Sequence, residues 1–123
     1  MPSEVIYVRL ETLLEIADDL GVPHVRDMGL LSSAVQRPQT LIYGDEVYPS
    51  LSHKAAALVE SLVRNHALVD GNKRLGWIGL ALFLDMNGRR LFVKHDDGYD
   101  FIVGIASGQI DFDSIVEWIS TRI

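Results

Sequence analysis

Residues 72–86, NKRLGWIGLALFLDM, constrain the fold more than any other stretch of this chain. Their apolar side chains fall on nearly every side of a helical wheel, so a helix here needs neighbours around most of its circumference. Gly71 stands before the stretch and Asn87-Gly88 after it, a start signal and a stop signal. The spacing therefore predicts a central helix from about Asn72 through Gly76, Trp77, Leu80, Phe83 and Leu84 to Met86. Gly76 and Gly79 lower helix propensity and are expected where another backbone packs close. The longest apolar run, residues 77–84, is far too short to cross a membrane.

The remaining segments supply the neighbours. Leu10, Leu13, Leu14, Ala17 and Leu20 share one face of a first helix, which Gly21 and Pro23 end. Residues 5–8 before it read as a brief strand or a lead-in. Asp27 suits the N-cap of a second, short helix that ends before Pro38. Residues 40–43 and 46–48 have strand character with Gly44-Asp45 between them, which predicts a small hairpin or flap closed by Pro49. Ser50 or Ser52 then caps a helix that runs to about Asn65, with Ala55, Leu58, Val59, Leu62 and Val63 as its buried stripe. Beyond the central helix, residues 91–94 read as a short strand. Asp96 or Asp97 would cap a helix ending at Gly108, and Asp111 a last one with Ile115, Trp118 and Ile119 turned inward. The sum is a mainly α single domain over residues 1–123, a bundle of about six helices with one small β-hairpin.

Composition narrows the function. With 123 residues the chain is long enough for one real core. It has no cysteine, which excludes disulfides and thiolate metal sites. A net charge of -6 argues against a surface that neutralises nucleic-acid phosphates. Its first residues carry no basic, apolar leader pattern, so a cytoplasmic protein without membrane or direct nucleic-acid contact is expected.

Between the two longest helices lies HALVDGNKR, residues 66–74. A helix start offers unpaired backbone N–H groups and the positive end of a dipole. Lys73 and Arg74 place two positive charges at that same end, against the usual preference for acids there. A bound anion resolves the conflict. Gly71 lacks a Cβ and lets a phosphate approach the backbone. Asn72 can donate from its amide, and Asp70 can hold a hard cation such as Mg2+ together with phosphate oxygens. The His66 imidazole can act as a general base at neutral pH. Singly, each residue has a plainer role: His66, Asp70 and Asn72 as caps, Lys73 and Arg74 as solvated charges. At this spacing they match what phosphoryl-type transfer onto a hydroxyl requires. Elsewhere, His24, His53 and His95 are expected to be structural or exposed, and Trp77 and Trp118 to be core.

The nine residues resemble the signature of the Fic/Doc superfamily, H-x-F-x-[D/E]-[A/G]-N-[G/K]-R, and within it the Doc (death-on-curing) toxins. The likeness extends over nearly the whole chain, including the flap, the Asn87-Gly88 stop and residues 106–110. It implies His66 as the base that deprotonates a target hydroxyl, Asp70 as the Mg2+ ligand, and Gly71, Asn72, Lys73 and Arg74 as the phosphate-binding set for ATP. AMP-transferring Fic enzymes usually carry glycine where Lys73 stands, and a second arginine where this chain has Trp77. The Doc-like pattern implies a kinase that transfers the γ-phosphate. Leu68 replaces the family's aromatic residue and is expected to pack beneath the loop.

The resemblance also implies a flap that pairs with an extended target segment through Leu41, Ile42 and Tyr43. It implies a Phd-like antitoxin whose C-terminal segment blocks the toxin. The implied target is a translation factor, elongation factor Tu, modified on a threonine so that translation is inhibited. Adenylyl transfer and a non-catalytic binding module of the same fold are the competing readings.

Overall fold

A computed structural model describes residues 4–22 and 24–123. Among these are six α-helices and one two-stranded antiparallel sheet, so the chain is mainly α, as expected. The helices are α1 (Leu10–Asp19), α2 (Met28–Gln36), α3 (Leu51–Arg64), α4 (Asn72–Met86), α5 (His95–Ala106) and α6 (Phe112–Ser120). A 3-10 turn, Arg37–Gln39, follows α2 and carries Pro38. The strands are β1 (Leu41–Ile42) and β2 (Asp45–Glu46). No helix of the described residues is long and apolar enough to cross a membrane.

Side-chain oxygens start three of these helices. Asp27, Ser50 and Asp111 accept from the backbone N–H three residues on, which satisfies one otherwise orphaned donor at each helix start. Ser50 is the cap of α3, and Ser52 lies inside the helix. The expected caps of α5 differ: Lys94 is its N-cap, with no side-chain bond, and Asp96 and Asp97 sit in the first turn. There their charge still meets the positive end of the helix dipole. Gly21 follows α1 at a φ of 75°. The contribution of Pro23 to that stop lies outside the described residues, as do Met1, Pro2 and Ser3.

The hub of the bundle is α3 rather than α4. It packs on α2, α4, α5 and α6, and ten of its 14 residues are buried. The expected stripe of Ala55, Leu58, Val59, Leu62 and Val63 is all among them. On α4, Leu75, Gly76, Gly79, Leu80, Phe83 and Leu84 are buried. Close approach to α3 explains its glycines: a Cβ on Gly76 would stand 2.5 Å from Val63 Cγ2, and one on Gly79 2.9 Å from Leu62 Cδ1. The apolar surplus of α4 is explained differently. Trp77 and Ile78 are only half-buried and form the wall of a cleft.

Of the two alternatives left open for residues 5–8, the structure takes the lead-in, and the strand expected at residues 91–94 is a single extended segment. Residues 5–8 form a lead-in: Asn87, at the C-cap of α4, clasps the N–H and C=O of Ile6 at 2.9 and 2.8 Å. Among the described residues, the extended segment 91–94 has one backbone bond to a distant segment, from Phe92 N–H to the Arg122 carbonyl at 2.9 Å, too little for a ladder. The flap forms one residue earlier than its composition suggested. Tyr43 and Gly44 make the turn at φ values of 50° and 82°, so Asp45 pairs with Ile42 and Glu46 with Leu41. Both turn residues lie in the left-handed region that favours tight hairpins.

The flap's stem is fixed by an unusual group. Lys54, on α3, is 2 % exposed, and its ammonium donates to Glu46 Oε1 at 3.1 Å and to the Tyr48 carbonyl. At the C-terminal side of the bundle, Trp118 is half-buried and stacks on Phe101 with ring centroids 3.6 Å apart.

Candidate functional site

The junction between α3 and α4 begins with a conformational cost. After Asn65, the C-cap of α3, the backbone turns left-handed at His66, with a φ of 52°. Among the described non-glycine residues only Tyr43 shares this sign. Such a backbone costs a residue bearing a Cβ about 1–2 kcal/mol, so neighbouring structure must hold it.

Residues 24–27 hold it. They run antiparallel to residues 66–69, with a bridge between Val25 and Leu68. The Val69 N–H donates to the His24 carbonyl at 3.0 Å. The N–H groups of Arg26 and Asp27 both donate to the Ala67 carbonyl, at 2.8 and 3.0 Å. The Arg26 guanidinium adds its Nε at 2.9 Å, and its Nη2, to the carbonyl of His66 itself. Leu68 is buried beneath the loop, as its apolar character predicted.

Asn72 closes the loop from the other side. Its Oδ1 accepts from the Leu68 N–H and its Nδ2 donates to the Leu68 carbonyl, both at 3.0 Å. Both ends of the amide are thus engaged by backbone, and one Nδ2 hydrogen is left to offer to a ligand. The pairing makes Asn72 a clasp of the turn, a role its sequence position alone did not reveal.

Gly71 is the N-cap of α4 at a φ of 88°. A Cβ there would stand 2.8 Å from Val22 Cγ2. Its missing side chain therefore makes room for Val22 and permits the left-handed start, where sequence reasoning assigned that space to an approaching phosphate. The first turn of α4 contains Lys73 and Arg74 and no acid.

A cleft of about 970 Å³ opens at this junction. His66, Asp70, Gly71, Asn72, Lys73 and Arg74 all line it, so the structure brings the six motif residues together. His66, Asp70, Lys73 and Arg74 are exposed. Among the described residues, none of the side chains of Asp70, Lys73 and Arg74 has an ion-pair partner. The apolar part of the lining comes from Trp77 and Ile78 of α4, Val93, and Tyr99, Ile102, Val103 and Ala106 of α5, and His95 also lines the cleft. Trp77, expected in the core, is a wall residue. Its ring lies against Gly98, where a Cβ would come within 2.8 Å of it. Leu41, Ile42 and Tyr43 lie apart from this lining, exposed on the flap.

The donor set suits a hard cation shared with a ligand. No group of three or more His, Cys, Asp or Glu side chains is gathered among the described residues. Among the described lining residues Asp70 is the one carboxylate, and it stands beside the cations Lys73 and Arg74. That fits magnesium, which commonly takes one or two carboxylates and completes its shell with water and phosphate oxygens.

Sequence reasoning missed Arg26 and the α5 wall. Both come from residues remote in the chain, and no local spacing announces them. Comparison with known proteins shows the family. The model of the Fic/DOC family matches residues 4–84. The protein named Toxin Doc from Mycolicibacterium smegmatis is 50% identical over 97 residues, covering 77% of this chain and 75% of that protein. On the family match over more than half of its length and on this identity, the chain belongs to the Fic/DOC family.

Proposed function

We propose that this protein is the toxin of a toxin–antitoxin pair and acts as a Mg-ATP-dependent protein kinase. It would transfer the γ-phosphate to a Ser/Thr hydroxyl of a translation factor in the cytoplasm and so inhibit translation. One observation carries this reading: an exposed imidazole and a cationic helix start without an ion-pair partner among the described residues share one cleft. The name of the similar protein, Toxin Doc, supports the toxin part and with it a Phd-like antitoxin partner.

The chain's own groups divide the work. His66 takes the proton from the target hydroxyl as its oxygen bonds to the γ-phosphorus, and the bond from that phosphorus to the bridging oxygen breaks to release ADP. The N–H groups at the start of α4, with Lys73 and Arg74, hold the phosphate oxygens and stabilise their charge. Asp70 is the residue that would hold Mg2+, which supplies further charge neutralisation when bound. The aromatic and aliphatic part of the lining suits a nucleobase and keeps water from the reacting groups. Leu41, Ile42 and Tyr43, exposed on a short two-stranded ribbon, offer an edge to an extended segment of the target. Elongation factor Tu is the target that the family resemblance implies.

Two features of this chain favour γ-phosphate transfer over adenylyl transfer. Lys73 fills the position that a glycine would leave open to phosphates, and Trp77 occupies the cleft wall without the charge of a second arginine. The test uses ATP labelled on the γ- or the α-phosphate, with purified elongation factor Tu as acceptor. Label from the γ-position alone, lost in His66→Ala, is the expected result. Label from the α-position alone would establish adenylyl transfer. Nucleotide binding with no transfer to this acceptor or to other translation factors would leave a binding module.

A further inference from the structure

Besides the Asn72 clasp on Leu68, the turn that carries His66 is held to residues 24–27 by two separable sets of bonds. One set is backbone to backbone: Val69 to His24, and Arg26 and Asp27 to Ala67. It joins two segments and does not depend on which side chain stands at position 26. The other set belongs to the Arg26 side chain alone, whose Nε and Nη2 both donate to the carbonyl of His66. That carbonyl closes the residue whose backbone is left-handed, and the imidazole leaves from the same Cα. Arg26 lies 40 residues from His66 in sequence and is exposed. A core role does not explain so specific a contact. A guanidinium offers rigid, planar N–H donors, and the ammonium of a lysine does not reproduce that fork.

We propose that Arg26 is a positioning residue for the transfer reaction: its fork fixes the His66 carbonyl and thereby the direction in which the imidazole enters the cleft. The proposal rests on the reading of His66 as the base. It makes Arg26 a part of the machinery that binds neither nucleotide nor target. The backbone bridges keep the loop in place, and Arg26 selects one orientation of its histidine. Misplacement of a reacting group by about 1 Å costs on the order of a hundredfold in rate, so a single fork can govern turnover without governing binding.

The experiment compares the wild type with Arg26→Ala and Arg26→Lys in two measurements. In the first, NMR of ring-labelled histidine follows His66. The wild type is expected to show one sharp imidazole environment, and Arg26→Ala a broadened or shifted one, with Ala67 and Leu68 amide signals little changed. In the second, transfer of γ-label to elongation factor Tu is measured. Arg26→Ala is expected to lower kcat about 10- to 100-fold, to leave nucleotide affinity unchanged, and to recover in part with added guanidinium ion. Arg26→Lys is expected to recover less than guanidinium restores. An unchanged His66 resonance together with an unchanged kcat in Arg26→Ala overturns the proposal, as does a lower melting temperature with kcat intact. If the wild type itself transfers no label, the kinase reading falls, and the NMR comparison still decides whether Arg26 sets the ring.

Discussion

Two charged regions flank the long helix α3, and they spend their charges in opposite ways. On one side, Glu60 bridges Arg37 at 2.9 Å and Arg64 at 2.8 Å. Arg37 also reaches the Tyr48 hydroxyl at 2.8 Å and Ser61 Oγ at 3.0 Å, with its guanidinium 5.3 Å from the Tyr48 ring centroid. Burial pulls the Arg37 pKa down, but hydrogen bonds and charge from Tyr48 and Glu60 outweigh it and hold the pKa above its ordinary value. Arg64 donates to the carbonyls of Ile105 and Ile110 at 2.8 and 2.7 Å, tying α3 to the end of α5 and the loop beyond. At the start of α4, Asp70, Lys73 and Arg74 have no ion-pair partner among the described residues. The first region uses its charges to join helices. The second leaves its charges exposed on the lining of a cleft.

Substitutions test this contrast, and the largest effect is expected at the free region. His66→Ala should lower transfer about 10²- to 10⁴-fold, the usual share of a general base. The exposed imidazole touches little, so the melting temperature should hold. Next, Lys73→Ala and Arg74→Ala should each weaken nucleotide binding about 10- to 100-fold, as loss of a charge-assisted contact does. Titration calorimetry checks this, again with stability unchanged. If either substitution instead lowers the melting temperature without affecting nucleotide binding, the two regions do not differ as described.

Glu60→Ala should show the reverse pattern. It strips two partly buried arginines of their carboxylate and should cost about 2–3 kcal/mol of folding stability in a denaturant titration. Nucleotide affinity of the folded protein should not change. The smallest effect is expected at Asp111, an exposed helix cap. Hydrogen bonds from the hydroxyl and backbone N–H of Ser114 hold its pKa below the ordinary value of 3.8. A carboxylate depressed in the folded state stabilises it above the unfolded pKa, and that contribution is lost as pH falls through the folded value. The melting temperature of the wild type should therefore exceed that of Asp111→Asn at neutral pH, and the gap should close on acidification below about pH 4.

The contrast also separates what the chain displayed from what it concealed. Helix ends marked by local chemistry were legible: Asp27, Ser50 and Asp111 as caps, and Gly71 and Asn87-Gly88 bounding α4. The grouping of His66, Asp70, Gly71, Asn72, Lys73 and Arg74 in one cleft was legible because all six lie within nine residues. Features that depend on distant partners were not. Residues 91–94 have strand composition, yet among the described residues no second strand lies beside them. The flap turns at Tyr43, a residue whose side chain gives no sign of a left-handed backbone. From its position Asn72 reads only as a phosphate donor, and its clasp on Leu68, which still leaves one Nδ2 hydrogen free, is not visible there. The apolar wheel of α4 looked like the centre of the bundle because a cleft wall and a core face have the same composition.

The buried ammonium of Lys54 has a consequence for the hairpin above it. Lifting β2 away would strand a cation inside the protein, so the ribbon's stem is fastened by the same helix that leads into the His66 turn. Leu41, Ile42 and Tyr43 are consequently presented in a pose set before anything arrives. On the docking proposed above, an incoming chain would meet little ordering entropy at that edge and would conform to it, which would make the hairpin a template rather than a hand that closes.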